Sequence, residues 1–234
     1  MLKLLNPYFF SKFTARLVPI LLGGFIISVI YGLYQALIVS PADYQQGEMV
    51  RMMYIHVPAA WMSLAIYTFI AVCSFINLIW NTKLSYLLAI AAAVPGAAFA
   101  LITLVTGSLW GKPIWGAWWV WDARLTSMLV LLLLYLSYLA VVSSGDNISR
   151  AEKPASVIAL IGFINIPIVK FSVDMWYSLH QPASVMRLGS PTIHSSMLLP
   201  LMLMFISFIC YFLLILFIRT QILLNNIKLN RVVK

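Results

Sequence analysis

Charge is scarce in this sequence. Only 9% of its 234 residues are Asp, Glu, Lys or Arg, where a soluble domain carries about 25%. With 63% hydrophobic residues, the chain reads as an integral membrane protein with no room for a separate soluble domain. Cysteine is nearly absent too. Cys73 and Cys210 stand singly in apolar stretches, without the C-x-x-C or C-x-x-C-H spacing that would attach a prosthetic group through thioethers, so both read as packing thiols. No phosphate-cradling G-x-x-x-x-G-K-[ST] loop is present, and any ATP hydrolysis must therefore come from a partner. The net charge of +9 does not point to nucleic acid, because the cations sit singly at the ends of apolar runs instead of forming a stripe.

Long apolar runs are what the chain has in abundance. Six of them, at residues 17–39, 57–80, 86–109, 125–142, 155–173 and 195–218, reach or come close to the roughly 20 residues needed to cross a bilayer. The expected fold is an all-α integral membrane protein, a six-transmembrane-helix bundle forming one polytopic domain over residues 1–234. The first run is longer than a signal-peptide core and has no small-residue cleavage site, so it is expected to remain as a span. Ahead of it, residues 1–16 mix Lys3, Lys12 and Arg16 with Phe9, Phe10 and Phe13, which suits a segment lying on the membrane surface. Pro95-Gly96 predicts a kink in the third span, and Pro167 and Lys170 interrupt the fifth. Ten of the fifteen cations (Lys3, Lys12, Arg16, Lys83, Arg150, Lys153, Arg219, Lys228, Arg231 and Lys234) fall on the side holding both termini. By the positive-inside rule the N- and C-termini are cytoplasmic and the 110–127 loop faces outward.

That loop, WGKPIWGAWWVWDARLTS, carries Trp110, Trp115, Trp118, Trp119 and Trp121 beside Asp122, Lys112 and Arg124. An interfacial aromatic belt is the plain explanation of tryptophans between two spans. Five within twelve residues exceed what anchoring needs and suit a platform for something flat and apolar. Gly111, Pro113 and Gly116 are expected to break the incoming helix. If the piece after them is helical, Trp115, Trp118 and Trp119 share a face by their i, i+3, i+4 spacing. Asp122 is placed to cap the fourth span.

All three histidines fall on the outer side of this topology. His56 and His194 each stand at the threshold of a span, at matching depth, and imidazole pairs of this kind hold haem iron from above and below. His180, in mid-loop, has no span to fix it and is left unassigned. Haem carboxylates would want cations, and Arg124 and Arg187 lie on that side. Because ligation needs neutral imidazole, haem retention is expected to weaken as the pH falls below roughly 6.5.

The run Trp115-Gly116-Ala117-Trp118-Trp119-Val120-Trp121-Asp122-Ala123-Arg124-Leu125-Thr126-Ser127 resembles the WWD signature of the haem-handling proteins of cytochrome c biogenesis. With six spans and an outer histidine on either side of the signature, the chain is similar over nearly its whole length to the cytochrome c maturation protein C family (CcmC, haem exporter protein C). In the resemblance His56 and His194 match that family's two axial histidines.

The resemblance implies non-covalent binding of haem b at the outer face, against the platform of Trp115, Trp118, Trp119, Trp121, Asp122 and Arg124. It implies partners: ABC transporter subunits (CcmA/CcmB-like), a small single-span subunit (CcmD-like), and a haem chaperone (CcmE-like) that receives the haem and bears the covalent chemistry. The chain would then be a delivery subunit and not an enzyme, in a bacterial inner membrane or a mitochondrial inner membrane. Two other readings compete: a secondary transporter, disfavoured because the apolar cores of spans two, three, four and six hold no charge, and a haem-containing redox subunit, for which neither a second haem site nor proton-relay carboxylates are present.

Overall fold

Asn6 starts the first helix. Its side chain accepts the Tyr8 amide at 2.9 Å and Pro7 takes the first helical position, where its missing N–H costs nothing. In this computed structural model, which describes residues 6–144, 148–182, 184, 185, 187 and 189–232, helix α1 (Pro7–Tyr34) continues into a π-helical turn, Gln35–Val39. Residues 7–16, expected along the membrane surface, are instead the first turns of span one, because no breaker separates them from the apolar run. Residues 1–5 with Lys3, residues 145–147 of the loop between spans four and five, and Lys234 lie outside the described residues.

The remaining helices are α2 (Met53–Trp80), α3 (Lys83–Trp115), α4 (Ala123–Ser144), α5 (Ile148–Phe163), α6 (Asn165–Met175) and α7 (Ser195–Val232). Among the described residues, six helical stretches are long and apolar enough to cross a membrane, α5 and α6 together making the fifth. The helices overrun the apolar runs at most ends, since backbone polar groups leaving the hydrocarbon still need partners. The 38 residues of α7, at 1.5 Å each, reach about 57 Å.

Span five breaks at Ile164, whose amide turns to the Ile161 carbonyl at 3.2 Å. The break puts Pro167 in the first turn of α6, where proline is tolerated; in a continuous helix it would clash with the preceding turn. Asn165 fastens the joint, its Nδ2 donating to the Ser127 carbonyl at 2.9 Å. Pro95 has a different remedy. Helix α3 runs on through it, and Nε of Arg219 donates to the Ala91 carbonyl at 3.2 Å, the acceptor that Pro95, four residues on, cannot serve.

The core lies where α2, α3 and α4 meet, around Ile66, Tyr67, Ile70, Leu131 and Tyr135. Tyr135 is fully buried and donates to the Ser63 carbonyl at 2.7 Å. Its ring rests on Gly96 so closely that a Cβ there would overlap it. Gly96→Ala is therefore expected to displace Tyr135 and cost about 1–3 kcal/mol, read as a lower thermal midpoint in detergent; an unchanged midpoint would refute this packing.

Helix α1 packs chiefly on α7. Ser28 and Ser207 bond at 2.9 Å, and Gln221, near the far end of α7, bonds Ser11 at 3.0 Å and Thr14 at 2.8 Å. Early α1 and late α7 thus share one end of the bundle. The starts of α2, α4 and α7 and the ends of α3 and α6 share the other.

Candidate functional site

At that second end, α3 does not stop where expected. Gly111 and Pro113 are both helical, and only Gly116, at φ 76°, ends the helix, with its amide on the Lys112 carbonyl at 3.0 Å. A left-handed φ favours glycine, which has no Cβ to clash. Nζ of Lys112 donates to the Gly116 carbonyl at 3.0 Å and lies 5.9 Å from the centre of the Trp118 ring. Trp110 and Trp115 are therefore helical residues. The piece that follows is not: residues 117–122 form an irregular turn with a bend at Trp118, so Trp115, Trp118 and Trp119 do not share a helical face. Trp118 and Trp121 are 57% and 76% exposed. Trp119 packs edge-on against Trp121, centroids 5.4 Å apart, and its buried Nε1 has no partner among the described residues.

The turn delivers Asp122 to the start of α4. Its Oδ1 accepts the Leu125 amide at 2.7 Å, the N-cap bond that the sequence predicts. Its other oxygen, Oδ2, accepts from the Ser178 hydroxyl and from His180 Nδ1 at 3.0 Å. Burial works against the carboxylate charge, but the bonds from Ser178, Leu125 and His180 outweigh it and hold the carboxyl below its ordinary range. Burial also holds His180 below the ordinary histidine value, with Asp122 pulling partly the other way. His180, unassigned from sequence because no span fixes it, is fixed by Asp122.

His180 and His56 line one cavity of about 290 Å³, with Trp61, Trp110, Trp115 and Arg124 also in its wall. The Trp115 ring meets His180 edge-on at 4.7 Å and Trp110 meets His56 at 5.7 Å. Gln46, from the loop before α2, holds Trp110 by accepting from its Nε1 at 2.9 Å. Arg124 is steadied by α6, donating to Ser172 Oγ at 3.2 Å and to the Lys170 carbonyl at 3.4 Å.

His194 and Arg187 stand apart from this wall. Arg187 is exposed in the connection before α7. His194 is exposed at the threshold of α7, where its Nδ1 accepts the Ser196 amide at 3.3 Å and lies 2.7 Å from Ser196 Oγ. An amide can only donate, so neutral His194 in this geometry carries its proton on Nε2. His180 is the reverse: a carboxylate only accepts, so its Nδ1 is the protonated nitrogen and Nε2 keeps a lone pair.

Fold and site together define a multi-pass membrane protein with a histidine- and tryptophan-lined cavity at one end of its bundle. The chain belongs to the heme exporter protein C family, whose sequence pattern matches residues 1–233. It is 48% identical over 212 residues to heme exporter protein C of Bradyrhizobium diazoefficiens, covering 91% of this chain and 80% of the relative. It is 42% identical over 199 residues to the same-named protein of Haemophilus influenzae, covering 85% and 78%. A relative in Marchantia polymorpha, called a putative cytochrome c biosynthesis ccmC-like mitochondrial protein, is 47% identical over 205 residues, covering 88% and 87%.

Proposed function

We propose that this chain binds haem b non-covalently in the cavity and hands it on during cytochrome c maturation. The observation that carries the reading is the pair of imidazoles in one aromatic wall: His56, and His180 with its Nε2 lone pair kept available by Asp122. Neutral imidazole is a common haem-iron ligand, tryptophan faces suit the macrocycle, and Arg124 suits a propionate. At about 290 Å³ the cavity is at the small end of the roughly 300–1,000 Å³ usual for ligand sites. The residues of its wall would hold the haem, while exposed Trp118, Trp121 and Arg187 are open to a partner.

The second axial ligand has two candidates in the connection before α7. His194 is the one that span thresholds suggest. His180 is the one favoured by the geometry, since it lines the cavity and presents a lone pair. The chain works as a delivery subunit, with its covalent partner chemistry on a CcmE-like chaperone and its ATP hydrolysis on CcmA/CcmB-like subunits beside a CcmD-like single-span protein. With both termini cytoplasmic by positive-inside counting, the cavity would open on the outer face, in a bacterial or mitochondrial inner membrane.

The test is the absorption spectrum of the purified full chain titrated with haem, alone and with a soluble haem-accepting chaperone domain. A stoichiometric bis-imidazole spectrum that transfers to the acceptor is expected. Failure to take up haem would sink the reading; haem that cycles between oxidation states but never transfers would favour a redox subunit.

A further inference from the structure

The cavity end of α3 holds a hydroxyl that the haem reading leaves unused. Thr106 Oγ1 lies 3.0 Å from His56 Nδ1. A threonine hydroxyl has one proton to give and two lone pairs, and its better acceptor is the Ile102 carbonyl, one turn back at 2.6 Å. With its proton committed there, Oγ1 faces His56 Nδ1 as an acceptor. One residue further along, Gly107 supplies the space. A Cβ there would stand 3.0 Å from His56 Cε1 and 3.5 Å from Nδ1, tight enough to push the ring aside.

We infer that Thr106 is a positioning residue that fixes the tautomer of His56, keeping its proton on Nδ1 so that Nε2 is left as a lone pair, with Gly107 as the clearance that lets the ring sit there. The consequence for haem rests on the function proposed above; the tautomer itself does not. A bond on the far nitrogen of a ligating histidine orients the ring and selects the metal-facing nitrogen. His56 and His180 then form an asymmetric pair, one backed by a neutral hydroxyl and the other by a carboxylate.

The experiment uses the full chain in detergent with 15N-labelled histidine, whose three imidazoles are assigned by His56→Ala, His180→Ala and His194→Ala. In the haem-free protein His56 is expected to be protonated on Nδ1. Thr106→Val, close to threonine in shape but with no acceptor, is expected to move population to the Nε2 tautomer, and Thr106→Ser to restore it. Haem dissociation should quicken about 10–100-fold in Thr106→Val, the usual loss for such outer partners, recover in Thr106→Ser, and quicken in Gly107→Ala with the tautomer unchanged.

Wild-type His56 protonated on Nε2, or a Thr106→Val spectrum identical to wild type, overturns the assignment. A shifted tautomer with haem retention unchanged, in a protein where His56→Ala does lose haem, overturns its role in binding. Should His56→Ala itself keep haem normally, the function proposed above fails while the tautomer result stands.

Discussion

His56→Ala and His180→Ala proteins will each lose the bis-imidazole haem spectrum and release haem at least tenfold faster, while His194→Ala will keep both close to wild type. The difference follows from which nitrogen is free. His180 donates its Nδ1–H to the Asp122 carboxylate, and His56 has an acceptor, Thr106, at the same nitrogen. His194 instead uses Nδ1 to accept the Ser196 amide, which acts as a cap at the start of α7. A stopped-flow transfer of haem to apomyoglobin gives the rates, and circular dichroism verifies that all three variants remain folded. Loss confined to His56→Ala and His194→Ala would return the second ligand to the threshold of α7 and remove His180 from the site.

Asp122→Ala should have the next largest effect, because one side chain serves two structures. Loss of the α4 cap costs about 0.5–2 kcal/mol, seen as a lower thermal midpoint. Loss of the second-oxygen bond frees His180 to turn, which should weaken haem binding about 10–100-fold. The two losses separate in Asp122→Ser, which can still cap but no longer supplies a carboxylate to His180: its midpoint should recover and its haem affinity should not.

The pH dependence has a definite sign. Protonating an imidazole that ligates haem would remove its lone pair, so the proposed site should lose haem on acidification. Burial holds His180 below the ordinary value, so loss should begin below pH 6.5, the unperturbed figure, and not at it. Asp122, held below the ordinary carboxyl range, stays charged throughout that window, and the tether outlasts the ligand. Half-loss of the Soret band above pH 6.5 would contradict this order.

Much of the architecture was legible before any coordinates. Apolar runs located all six spans because burial in lipid demands them, and Asp122 announced itself as a cap by preceding an apolar run. His56 was legible as a threshold residue. His180 was not, since its place depends on Asp122, 58 residues away, and no local pattern records such a pairing. The end of the third helix was not legible for a related reason. Gly111 and Pro113 stop helices in water, yet here the incoming helix persists and Trp115 packs over buried Gly111. The expected indole face across Trp115, Trp118 and Trp119 required a helix that the left-handed Gly116 forbids.

The divided fifth span has a mechanical meaning for the site. A continuous helix would transmit any tilt of its half remote from the site directly to the cavity wall. With the backbone ladder interrupted at Ile164, the short segment α6 carrying Ser172 and the Lys170 carbonyl hangs from two polar pins, Asn165 on Ser127 and Arg124 on those acceptors. Its posture is set by neighbours on α4, the same helix that Asp122 begins. The guanidinium and the His180 tether are thereby mounted on one common strut, and a shift of α4 would carry both together.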